Sequence, residues 1–508
     1  MVAIPTLLFA AALAAGVCDN SLKPAASAIQ HNDAARAKSI LDSVRSECAQ
    51  SSDFNELEGV VNELSGRPAE AEAAFRKAVS LNPQSARLWS DLGLSYLKNR
   101  NIQDAAKALR QALKLNAADE RAAKYALGIY VQLGDWQQAL AVTGQINATT
   151  KANLLRDPAF FLWVARTLLE AKQATQLDRL LAANTQHLSP PLLFSLGTLF
   201  AQHQRYEKAV EYLKRIPPSS ADDAVYFNLG LAYSHLKQFR RARESYYNAI
   251  DKDATKPEVY FRVGLDFATL GQVRKALPWL FRARELAPRR ADIAYALCEQ
   301  LLLLNYVATA RDVIDAALEM NPGDVLLTVA RGDVAQADND ATSAETMYKQ
   351  ALQREPKSVP ALVGLARTAQ QGGKDEEAVK YLKTALSIEA NDPASNRQMG
   401  IIEARRGDWA AASSHLERAW AVDQSNPDVG LDLARAFRHD NRPLKGLAVL
   451  NLVQPALRDS ADFHFELAQV YAQLQRQKEA QAERATVQAL RAAASDALPF
   501  ETPKTYVY

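Results

Sequence analysis

Apolar residues recur every three or four positions along most of the chain and are interrupted at short, regular intervals, which predicts short amphipathic helices rather than strands. Trp89, Leu92 and Tyr96 share one face of a first helix, and Ala105, Leu109 and Ala112 share one face of a second. Turn residues separate such helices. Gly66, Gly134, Gly271, Gly373 and Gly407 stand at one phase, with Asp135 and Asp408 placed to cap the helix that follows. Pro83, Pro288, Pro322 and Pro356 close many of the second helices, because proline cannot continue a helix interior. The pattern reads helix, turn, helix, turn.

Compared with itself, the chain repeats at an offset of 34 residues. Alanines fall at Ala71, Ala105 and Ala139, then at Ala209, Ala242, Ala276, Ala310, Ala344, Ala378 and Ala412, and Gly446 and Ala480 continue the series. Twelve positions upstream a second small-residue series runs through Gly59, Gly93, Gly197, Gly230, Gly264, Cys298, Gly332, Ala366, Gly400, Ala434 and Ala468. Antiparallel helices joined by a short turn approach closely only where side chains are small, so the two series are expected to mark the crossing of each helix pair.

Trp89-x2-Leu92-Gly93-x2-Tyr96 followed by Ala105-x3-Leu109 resembles the tetratricopeptide repeat pattern, and Tyr226, Leu229, Gly230, Tyr233, Ala242 and Tyr246 match it again. The resemblance covers about nine tenths of the chain in 12 to 14 tandem units. It implies an all-α fold, a right-handed superhelical solenoid of stacked antiparallel helix pairs. On this reading residues 18–52 form an N-terminal partial repeat, 53–153 an array and 154–189 a divergent helical unit. Residues 190–494 continue the array to a polar capping helix, and 495–508 form a flexible tail. The divergent unit carries Phe160, Phe161 and Trp163 but lacks the glycine, and is a candidate hinge or kink. Leu127 at a small position and Gly446 in place of alanine also depart from the pattern.

The family resemblance further implies a concave groove, lined by the first helices, that receives extended or helical segments of other proteins. The second, fifth, sixth, ninth, twelfth and thirteenth residues of each unit are implied to face it. In the N-terminal units these positions include Asp53, Glu56 and Glu63, read as a solvated acidic face. In the central units Phe194, Phe227, Phe261 and Tyr295 share the fifth position, either as an open aromatic row or as core between adjacent first helices. The C-terminal units present Arg367, Arg397, Arg405, Arg435 and Arg438, suited to carboxylates or else part of a mixed-charge face. Asn228 and Arg262 match two sites of the family's clamp for peptide C-termini, but Phe194, Thr198 and Glu258 occupy the others, which argues against a chaperone-tail adaptor.

Composition narrows the function. Single cores stop growing near roughly 250 to 300 residues, so 508 residues need several domains or an array. With 60 basic against 58 acidic residues, no global field recruits nucleic acid or an anionic membrane. The seven histidines are scattered, and no metal-ligand spacing, nucleophile motif or phosphate-binding loop occurs, so neither catalysis nor a cofactor is expected.

Residues 1–17 read as a signal peptide, an apolar run ending in small residues, although no Lys or Arg precedes it. No stretch is long enough to span a membrane. Cys18 is open to lipidation, to a bridge with Cys48 in an oxidising compartment, or to remaining a free thiol; Cys298 fits a buried small position. The expectation is a non-catalytic, exported scaffold that binds a protein or extended peptide. An envelope scaffold for glycans, or a subunit of a larger assembly, is the alternative.

Overall fold

The computed structural model describes residues 17–184, 188–422, 424 and 426–496. Apart from Val17, the expected leader lies outside them; so does the expected tail, apart from Ser495 and Asp496. The described residues hold helices and no strand, in two units, residues 1–220 and 221–508.

The first unit opens with the helix pair Val17–Gln30 and Ala34–Cys48, so the segment expected as a partial repeat contributes two helices. Cys18 and Cys48 are joined by a disulfide, with their Cα atoms 5.7 Å apart. The bridge ties the start of the first helix to the end of the second, beside a core of Leu22, Leu41, Phe54 and Phe75. Pairs then follow through Pro190–Gln202 and Tyr206–Leu213. One element has no counterpart in the sequence pattern: the short helix Ala148–Leu154, capped by the Asn147 side chain accepting from the Thr150 amide. It precedes the aromatic-rich helix Pro158–Glu170, in which Phe160 and Phe161 are fully buried. The Trp163 ring lies against Gly128, the residue after the aberrant Leu127.

The second unit stacks eight pairs, from Asp223–His235 with Phe239–Lys252 to Ala461–Gln473 with Gln477–Asp496. The last described helix buries Ala480 and Val487 and leaves Gln477, Lys478, Gln481 and Arg484 exposed. No helix of the described residues is long and apolar enough to cross a membrane.

The small-residue series has a more specific cause than a close crossing of two small faces. Each glycine of that series makes room for a large side chain sixteen residues later on the second helix. A Cβ at Gly93 would stand 2.6 Å from Leu109, one at Gly264 2.6 Å from Leu280, and one at Gly332 2.6 Å from Tyr348. The alanine of each pair is buried beside this contact, so glycine, alanine and the large residue form one unit of packing.

The turn is also more uniform than its glycines. Besides those read from the sequence, Asn32, Arg100, Lys172, Gln204, Lys237, Asn305, Asn339, Asn441 and Gln475 adopt positive φ where first helix gives way to second. The backbone of the turn is thus held left-handed by the repeat whether or not glycine is present. Asp135 caps as expected, accepting from the Gln138 amide, and Asp408 does so from the Ala411 amide.

Candidate functional site

Four successive first helices of the second unit, Ala291–Leu303, Val325–Ala337, Val359–Gln371 and Pro393–Arg405, line an open pocket of about 890 Å³. Much of its lining falls at the fifth, ninth, twelfth and thirteenth places of these units: Tyr295, Val329, Val363 and Arg397 at the fifth, and Glu299, Asp333 and Arg367 at the ninth. Helical spacing sets these places on one face, and stacking sets equivalent places in columns.

The ninth-place column carries the charge. Asp333 is mostly buried, pairs with Arg367 and accepts from the Tyr348 hydroxyl at 2.8 Å. Burial pushes its carboxyl up, and the Arg367 guanidinium works against that shift. Tyr348 is itself fully buried between Gly332 and Gly364 and also meets Gln336 Oε1 at 3.3 Å. Glu299 opens onto the groove within the pocket wall; crowding by protein raises its carboxyl to about 7, and the Tyr295 hydroxyl contact lowers it only in part. Burial likewise raises the Tyr295 phenol. Beside them Gln300, 8% exposed, leaves Oε1 without a hydrogen-bond partner.

Phe194, in the first unit, is half-buried. Phe227 is half-buried and tilts against Tyr246, with ring centroids 6.0 Å apart. Phe261 is buried, with the guanidiniums of Arg262 and Arg290 over its ring at 5.9 and 5.2 Å, so the open-row reading fails at this position. Tyr295 alone of the four lines the pocket. The two clamp-like residues are engaged on their own helices: Asn228 donates to the Ala224 carbonyl at 2.8 Å, and Arg262 to Glu258 at 2.7 Å.

Each of the five arginines has a carboxylate partner. Arg367 holds Asp333, and Arg397 holds Asp432 at 2.9 Å with Asp428 at 3.9 Å. Arg405 meets Asp375 at 3.4 Å. Arg435 and Arg438 converge on Glu466, which is 1% exposed, at 3.6 and 2.5 Å. Only Arg367 and Arg397 line the pocket. Many of these pairs link residues about one repeat apart, a signal present in the sequence as opposite charges at an offset near 34.

The acidic face expected in the first unit is not solvated. Glu56 is 2% exposed and Asp91 3%, and Glu63 is largely covered. Arg87 bridges Glu56 at 2.6 Å and Asp53 at 3.3 Å, Arg121 reaches Asp91 at 2.8 Å, and Lys98 pairs with Glu63. Burial, with Asp91 adding to it and Arg87 opposing, raises the Glu56 carboxyl to about 8, which favours a proton shared between Glu56 and Asp91. Burying a carboxylate without such partners costs several kcal/mol, which is why the arginines of the next first helices are there.

No group of His, Cys, Asp and Glu able to hold a metal occurs among the described residues. Cys298 is a buried free thiol, as its small position predicts.

Comparison with known proteins agrees with this architecture. Models described as tetratricopeptide repeat match residues 64–127 and 335–397, residues 23–86, and residues 224–254. A peroxisomal targeting signal receptor of Kluyveromyces lactis is 23% identical over 40% of this chain and 35% of its own length. That of Yarrowia lipolytica is 27% identical over 34% of this chain and 30% of its own. The chain thus spans about a third of the length of these curated relatives. A solved tetratricopeptide repeat protein from Parabacteroides merdae aligns with a TM-score of 0.44 at 16% identity, over 48% of this chain and 97% of that one.

Proposed function

Because the chain is a tetratricopeptide-repeat protein, we propose that it is a non-catalytic scaffold that captures a segment of another protein along the inner face of its first helices. The observation that carries this reading is the open pocket of about 890 Å³ built by four successive first helices at their groove-facing places. A pocket continuous across repeats suits an extended chain, whose side chains alternate along its length. The matched curated relatives are receptors by name, which supports capture of a segment. The non-catalytic reading is supported by the lining, in which Arg367 is paired with Asp333 and no serine, threonine, cysteine, histidine or lysine occurs among the described residues.

The test is binding of the full chain to an array of extended peptides. Ala337→Trp and Ala394→Trp, both at exposed pocket residues, should leave the helical signal intact and reduce peptide capture at least tenfold. Capture unchanged by both fillings would overturn the groove as the site.

Placement outside the cytoplasm belongs to the same proposal. It is supported by the Cys18–Cys48 disulfide, since such bridges persist in oxidising compartments. Expression in a bacterium followed by fractionation should find the chain, starting after Gly16, in the periplasm. A chain that keeps residues 1–17 in the cytoplasm would overturn it.

A further inference from the structure

Within the pocket the ninth-place column carries Glu299, Asp333 and Arg367 in three successive repeats, each 34 residues from the next. One cation therefore faces two carboxyls. Arg367 is committed to Asp333, which also takes the Tyr348 hydroxyl, and Glu299 has no ion-pair partner among the described residues. The other pocket arginine, Arg397, is drawn to Asp432. Glu389 and Asp392 add acid to the rim without bringing a cation with them.

Two further features bear on what fills this gap. Gln300 lines the pocket beside Glu299, and its covered Oε1 has no donor. Leu302, Leu303, Val329 and Val363 supply an apolar wall, on which Leu303 is 67% exposed. An apolar wall ending in a carboxyl without an ion-pair partner and an amide oxygen without a donor matches a long aliphatic stem with a donor-rich cationic head.

We propose that this pocket selects an arginine or lysine side chain of the captured segment, with Glu299 as its counter-ion and Gln300 Oε1 as a second acceptor. The inference rests on the groove reading above and adds the chemistry of the occupant. An acidic segment is disfavoured here, because the pocket's two arginines are already neutralised within the chain. The carboxyl of Glu299, raised first by burial and then by nearby Asp333, agrees with this assignment, since a bound cation favours its ionised form.

The experiment is the same peptide array, read for composition, with the wild-type chain, Glu299→Gln, Glu299→Lys and Gln300→Leu. Wild type should enrich peptides with a basic residue at least tenfold over those with norleucine or glutamate in its place. Glu299→Gln should abolish the preference while leaving capture of other peptides in place. Glu299→Lys should reverse it, and Gln300→Leu should weaken it. Basic preference that survives Glu299→Gln, or none in wild type although peptides are captured, would overturn the pocket assignment and leave the groove reading standing. No capture of any peptide would overturn both. Free spermidine competing as well as any basic peptide would replace the segment by a small cation.

Discussion

Two charged clusters, one in each unit, show how a repeat array divides its acids between structure and recognition. In the first unit, Glu56 and Asp91 are buried and closed off by Arg87 and Arg121 from the following first helices. In the second, Asp333 is closed off in the same way by Arg367, but Glu299, one repeat earlier in the same column, has no arginine and opens to the groove. An acid matched by a base about one repeat onward becomes part of the stack, because neither partner is hydrated freely enough to be given up. An acid whose next-repeat neighbour is another acid is left to the solvent or to a ligand.

The contrast can be tested from its strongest consequence to its weakest. Truncating Tyr348, fully buried and bonded to Asp333, to alanine should destabilise the surrounding repeats by about 3 to 5 kcal/mol. Tyr348→Phe should cost only about 1 kcal/mol, the loss of one buried hydrogen bond. Arrays of this length need not unfold in one step, so hydrogen exchange in Val325–Ala337 and Val359–Gln371 is the measurement, and equal protection in the two variants would contradict the packing described.

Next in size is Arg121→Ala, which leaves Asp91 buried with less compensation and should cost about 3 kcal/mol in the first unit. Glu299→Gln should by contrast change stability by no more than about 0.5 kcal/mol, since it removes an open, unmatched carboxyl. Similar costs for the two variants would erase the distinction between closed and open acids.

The pH dependence of the first unit gives a third comparison. Glu56 faces Asp53, Asp91 and Arg87, and its carboxyl is raised from 4.5 to about 8. The folded chain therefore holds a proton that the unfolded chain releases above pH 4.5. This contribution to stability is complete below the unfolded value and is lost as the pH rises towards 8. Glu56→Gln, which mimics the protonated form, should remove most of the decline in thermal midpoint between pH 5 and 8. A wild-type midpoint that instead rises over this range relative to Glu56→Gln would mean that Glu56 is ionised in the fold.

The smallest effect concerns the turns. Lys237→Gly and Arg100→Gly, at positive φ, should each stabilise their repeat by up to about 1 kcal/mol, as seen in unfolding or local exchange. The same change at exposed Lys77, inside a helix, should destabilise by about as much.

Much of the fold is legible in the sequence because packing within a pair is local. Gly93, Ala105 and Leu109 lie within one repeat, so their contact leaves a periodic trace that a single chain displays. The candidate site is less legible, because exposure depends on neighbours in other repeats. Phe261 and Tyr295 occupy the same place in successive units, yet one lies under Arg262 and Arg290 and the other lines the pocket. The arginines suggested a surface for acids, and their pairing with Asp333, Asp432 and Glu466 emerges only when one repeat is compared with the next.

The sequence by itself determined the period, the helix pairs, the glycine positions and the family, since each follows from contacts closed within roughly one repeat. Tertiary structure decided which of two identically placed side chains is covered, which of three possible states of Cys18 the fold holds, and which acid is left unmatched. Those outcomes depend on distances between repeats, and a charge or ring gains or loses its water only when the neighbouring helix arrives.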